Sequence, residues 1–228
     1  MPVSARTPLF ALAGLALGAL ILARPALAGE VEDRLGEARA AMLSKDFKAA
    51  GKALDAAYAA APGSAGVVPQ ESLARIWYYR GVIEQLQGDK KGKAIDHWRQ
   101  ALVLDSGLPW EPAVLNEADP ETLFEALRSE VKSRDKLNTG VPEKVGAALL
   151  FVDGQKAGAD GRVLQGEHLA QITCPDGKTY GAWTDFSKPV KWLAMCPGGV
   201  DTSVVVAAAP TDDWAEFGPA FGAPSDGA

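Results

Sequence analysis

From Val31 to Arg134 apolar positions recur at three- and four-residue steps among Ala, Leu, Glu, Lys and Arg, which predicts helices. The most regular stretch runs from Ala74 to Asp105, where Gly88-Asp89 separates two amphipathic segments. Trp77, Gly81 and Glu84 lie one turn apart on the first, and Ala94, Trp98, Ala101 and Leu102 form a stripe on the second. This spacing predicts a helical hairpin in which Gly81, Ala94 and Ala101 allow close approach and Trp98 fills the gap. A fainter copy precedes it, with Ala38 on its first helix, a turn at Asp46-Phe47, and Ala50, Leu54, Ala57 and Pro62 on its second. Asp119-Pro120-Glu121 reads as a further helix start, a capping Asp followed by Pro at the first helical position. Leu123, Phe124, Leu127 and Val131 then give an apolar stripe, so Asp119 to Arg134 is predicted to close the helical array.

After Lys136 the helical period stops. Turn pairs such as Val141-Pro142, Asp153-Gly154, Asp160-Gly161 and Asp176-Gly177 punctuate short apolar runs. The runs are Ala147 to Val152, Val163 to Leu164, His168 to Thr173, Thr179 to Trp183, Val190 to Met195 and Thr202 to Val206. Short strands at this density predict a small antiparallel β-sandwich. The fold class is therefore α+β. Its parts are a leader at 1–28, a helical domain at 29–135, a β-sandwich at 136–206 and an acidic tail at 207–228, for which disorder is the default expectation.

The hairpin resembles the tetratricopeptide repeat, whose period is about 34 residues. Trp77 and Gly81 match the first-helix signature, Gly88-Asp89 the turn, and Ala94, Trp98 and Ala101 the second helix with one extra residue after the turn. Arg80, Glu84 and the lack of Pro after Asp105 depart from it. Asp46 to Asp89 spans 43 residues, and the excess over the family's period falls in the Gly/Pro-rich stretch Pro62 to Pro69, read as an inserted loop. In the second half, Val152-Asp153-Gly154 ending an apolar run and Gly166-Glu167-His168 before the next resemble the small bacterial PEGA domain. The Pro-Glu-Gly-Ala sequence itself is absent. This resemblance implies an envelope add-on domain rather than an enzyme.

Composition and charge add an address. Met1 to Ala28 has no acid, carries Arg6 ahead of an apolar run from Leu9 to Leu22, and ends Ala26-Leu27-Ala28 before Gly29, the pattern of a secretory signal cleaved between Ala28 and Gly29. Retention as an uncleaved anchor stays open. Removing the signal takes away Arg6 and Arg24 and no acid, so the formal charge moves from −6 to −8. Such a chain is a poor nucleic-acid binder, since that affinity rests on Lys and Arg at phosphates. The expected location is periplasmic or secreted. There the only two cysteines, Cys174 and Cys196, are expected to pair, against a reading as two buried thiols.

No catalytic constellation emerges. The two histidines, His97 and His168, fall in different halves, and nucleophile elbow, zinc helix, phosphate loop and dinucleotide fingerprint are all missing. The expectation is a non-enzymatic adaptor or scaffold, without cofactor or metal, that binds an envelope protein or peptide through its helical repeats. Arg75, Tyr78, Tyr79 and Arg80 are candidate contacts because Tyr and Arg are favoured at interfaces. Trp77 is assigned to packing, Tyr78 and Arg75 to contact, and Trp110 either to packing under the closing helix or to a partner. The alternative is a cell-wall or carbohydrate-binding protein using Trp183 and Trp192 as stacking platforms. The tail aromatics Trp214, Phe217 and Phe221 either dock on a partner or pack back on the chain.

Overall fold

The computed structural model describes residues 29–203 apart from Lys90. The expected signal segment and acidic tail lie outside the described residues. Among the described residues five α-helices precede a small antiparallel sheet region, so the class is α+β.

Helix α1 (Gly29–Leu43) buries Val31, Leu35, Ala38 and Met42, and α2 (Phe47–Ala60) buries Ala50, Ala53, Leu54 and Ala57, facing stripes that zip the first hairpin. Asp46 caps α2 by accepting from the Ala49 N–H at 2.9 Å. The second hairpin pairs α3 (Gln70–Leu86) with α4 (Lys93–Leu104). Asp89 organises its turn, its carboxylate accepting from the Lys91, Lys93 and Ala94 N–H groups. Gly81 is where the helices touch: a Cβ there would collide with the Trp98 indole. Ala94, Trp98 and Ala101 are buried beside it, as the stripe predicts.

Helix α5 (Ala118–Lys132) begins one residue before Asp119, which places Pro120 at the third helical position and leaves Asp119 no capping role. Proline sacrifices no hydrogen bond there, because first-turn N–H groups have no intrahelical acceptor. Phe124, Leu127 and Val131 are buried as expected, whereas Leu123 is exposed.

The β region holds a four-stranded antiparallel sheet in the order β3-β2-β5-β6, from β2 (Leu149–Val152), β3 (Gln155–Lys156), β5 (His168–Thr173) and β6 (Thr179–Thr184). A ribbon of β1 (Lys136–Asn138) and β4 (Arg162–Leu164) forms separately. The run Val190 to Met195 is not a strand: Trp192–Met195 makes a 3₁₀ turn that drives Trp192 into the core, its Nε1–H donating to the Thr139 carbonyl at 3.1 Å. Thr202 and Ser203 lie in a turn, and the rest of that predicted strand is outside the described residues.

Strand β5 is covered on both faces, and alternation sorts its residues. Leu169 joins the helical core, while Ala170 and Ile172 join a second core with Leu150, Phe186 and Trp192. The stretch read as a loop between the repeats is where the sheet docks. Following a 3₁₀ turn at Ala61–Gly63, its polar groups meet the fully buried Gln171: the Val68 N–H donates to Oε1 at 3.2 Å, and Nε2 faces the Ala61 and Gly66 carbonyls at 3.4 Å. Gly154 and Gly181 make this approach feasible, since a Cβ would strike the Val68 carbonyl from one and lie 3.1 Å from the Pro62 carbonyl at the other.

Candidate functional site

The residues singled out as contacts divide between two places, and most are already engaged within the chain. Tyr78 is fully buried. Its hydroxyl accepts from the Glu111 backbone N–H at 2.9 Å and its ring packs edge-on against Trp110 and Phe124. It therefore offers no surface, and its assignment to contact is corrected, whereas Trp77 packs against the helical core as assigned. Trp77 is half-buried on a different face of α3, beside Tyr58 and His97. Helix α3 is buried on several sides, and α1, α2, α4 and the loop after α4 cover it from several directions. Trp110 packs beneath α5, 5.5 Å from Phe124 and 5.7 Å from Trp98 between ring centroids. Arg80 leaves this group: it stacks over Tyr58 and Trp77 at 5.0 and 4.9 Å and pairs with Asp55 at 2.9 Å.

Arg75 and Tyr79 do converge, around a residue that sequence reasoning missed. The loop after α4 delivers Glu111 to the face shared by α1 and α3. There its carboxylate accepts from Arg39 of α1 at 2.5 Å, from Arg75 of α3 at 3.0 Å and from the Tyr79 hydroxyl at 2.8 Å. Burial, the largest influence on Glu111, favours its protonated form, but the hydrogen bonds from Arg39 and Tyr79 and the charges of both arginines outweigh it and hold the carboxyl below the usual range. Burial and the neighbouring carboxylate push the Tyr79 hydroxyl up to about 12, so it stays a neutral donor. Arg75 also grips Glu71 one turn back at 2.7 Å. The Arg39 side chain keeps 42% of its surface exposed and Glu111 19%, so the cluster opens to solvent on the arginine side. No sequence signal could join Arg39 to Glu111, which lie 72 residues apart.

The two motifs of the second half meet as a buried pair. Asp153, in the left-handed conformation at φ 49°, accepts from the Leu169 N–H at 2.9 Å and lies 2.6 Å from His168 Nδ1. The other ring nitrogen, Nε2, faces the Leu164 carbonyl at 2.7 Å. A carbonyl only accepts, so Nε2 carries a proton, and a carboxylate at Nδ1 favours a second. Burial pulls the imidazole pKa down, but the Asp153 hydrogen bond and charge, with the Leu164 carbonyl, outweigh it and leave it raised. The pair ties the end of β2 to the start of β5.

Cys174 and Cys196 form a disulfide, with Cα atoms 5.8 Å apart, that encloses β6 and the Trp192 turn. The supposed stacking platforms are otherwise employed. Trp192 is 2% exposed, and Trp183 lies flat on Tyr58 with centroids 4.6 Å apart, its Nε1–H donating to the Tyr58 carbonyl. Among the described residues no cluster of three or more His, Cys, Asp or Glu is arranged to hold a metal, and no helix is long and apolar enough to cross a membrane. No family model, curated protein or solved structure matches the chain.

Proposed function

We propose that this protein is a non-enzymatic scaffold of a bacterial cell envelope, exported by its leader, whose tetratricopeptide-like helical half holds a protein or peptide partner. The reading is carried by one observation: Arg39 and Arg75, on the first helices of successive hairpins, point to the same face and grip the same carboxylate. A guanidinium presents a rigid fork of donors matched to carboxylates, and two forks from neighbouring helices make a carboxylate-reading face. Repeat arrays expose such a face by stacking their first helices side by side. Glu111 satisfies it in the free chain, and a partner acid entering from the exposed Arg39 side would compete with it.

Crosslinked capture from envelope extract tests this. The mature protein should enrich a defined partner, and Arg39→Ala with Arg75→Ala should lose it, while Glu111→Gln should strengthen capture by removing the internal competitor. A partner held equally by all three forms, or none enriched by the unaltered protein, defeats the reading.

A further inference from the structure

A cleft of about 420 Å³ opens where the ends of α4 and α5 meet the sheet region. Its lining carries four cations from four segments: Lys132 at the end of α5, Lys136 on β1, Lys156 on β3 and Arg162 on β4. The pairing of Asn138 with Arg162 and of Lys136 with Leu164 puts Lys136 and Arg162 on the same face of the ribbon. None of the four has a carboxylate within ion-pair distance among the described residues, although every other arginine there has one. The one acid among the lining residues, Asp153, is buried and committed to His168 and the Leu169 N–H. A chain with formal charge −6 thus gathers unpaired positive charge in this cleft.

We propose that this cleft is a binding site for an extended acidic peptide segment of a partner protein, distinct from the α1/α3 face and sharing no residue with it. Charges distributed over four segments suit several carboxylates spaced along a chain rather than one tetrahedral anion, which would need donors converging on a point. The rim also carries a sheet edge. Strand β3 is first in the order of its sheet and pairs only with β2, so its outward backbone groups can receive an added strand while Lys156 and Arg162 read alternate acidic side chains. Val103, Ala157 and Leu164 supply an apolar floor for the residues between.

Fluorescence polarisation of the mature protein with a labelled peptide of alternating Glu and Thr tests the site. Saturable binding that weakens as salt is raised is expected, and the peptide with Gln in place of Glu should not bind. Lys156→Glu with Arg162→Glu should weaken binding at least about tenfold, while Arg39→Ala with Arg75→Ala leaves it unchanged. Both reversed positions are exposed; should that variant misfold by circular dichroism, Lys156→Gln with Arg162→Gln is expected to give a smaller loss in the same direction. Absence of saturable binding, equal binding of the Gln peptide, or indifference to both pairs of substitutions overturns the proposal. Displacement by millimolar phosphate would instead assign a small-anion site, and tighter binding of a DNA oligonucleotide a polyphosphate site, and either result also overturns it.

Discussion

His168 is held by an acid on one ring nitrogen and a carbonyl on the other, so it is stabilised as the imidazolium and its pKa lies above the ordinary value near 6.5. The native state then binds more protons than the unfolded chain. The stability contributed by the pair is complete below the unfolded pKa and disappears as pH rises through the folded one. His97 has the opposite sign, because burial foremost, with the positive charge of Arg80, lowers its pKa, so folding is favoured as pH rises between the folded and unfolded values. In NMR titrations His168 should titrate above His97, and His168→Gln should remove the alkaline loss of stability in urea unfolding while His97→Gln leaves it. The reverse order of titration would refute the assignment. Two glycines give a second contrast. Gly81→Ala forces a Cβ into the Trp98 ring and should destabilise by about 1–3 kcal/mol. Gly51→Ala, inside α2 with nothing within 4 Å, should stabilise by roughly 0.5–1 kcal/mol. Urea denaturation of both variants checks the signs.

Among the elements, the helices follow their own stripes because a helix reports its buried face through a local period, so α1, α2, α4 and α5 were readable from sequence. Helix α3 was readable as a helix but not in its rotation, since its buried residues are spread round the helix and form no single stripe to say which neighbour lies where. Strand β5 was readable from the apolar Leu169, Ala170 and Ile172, but not the burial of its polar His168 and Gln171 beside them. The ribbon strand β1, Lys136-Leu137-Asn138, is three residues long, too short for its alternation to announce a strand, and is defined by its pairing with β4. The Trp192 turn has the composition of a strand and takes another form because its indole fills the second core. The disulfide braces this part of the molecule. Its loop of 22 residues corresponds to about 3 kcal/mol in the loop-entropy account, so thermal unfolding with a reductant should begin at a markedly lower temperature than without. An unchanged melting temperature would show that the bridge adds nothing to stability.

At the scale of the molecule the helical half and the sheet share buried surface. Gln171 takes up the Val68 N–H, Trp183 lies against Tyr58, and Gln100 of α4 accepts from the Glu167 N–H at 3.1 Å. Far-ultraviolet circular dichroism, which reports the helices, and tryptophan fluorescence, which includes Trp183 and Trp192, should therefore unfold in one coincident transition. Gln171→Leu strands the buried Val68 N–H and should destabilise by about 1–3 kcal/mol. Separated transitions in the unaltered protein would show that the junction does not couple the halves.

By itself the sequence determined the class, the order of helices before strands, the close contact at Gly81, the turn at Asp89 and the pairing of the cysteines, because each depends on residue type and short-range spacing. It also held Val-Asp-Gly and Gly-x-His as two motifs, without their union. Only tertiary structure brought Asp153 to His168, Glu111 to Arg39, the inserted stretch to Gln171 and four cations to one cleft. Those contacts join residues far apart in the chain whose side chains have no local pattern to announce them. The same reason moved Tyr78 from the surface to the core: its exposure depends on what packs against α3, and that is settled by the loop carrying Trp110 and Glu111.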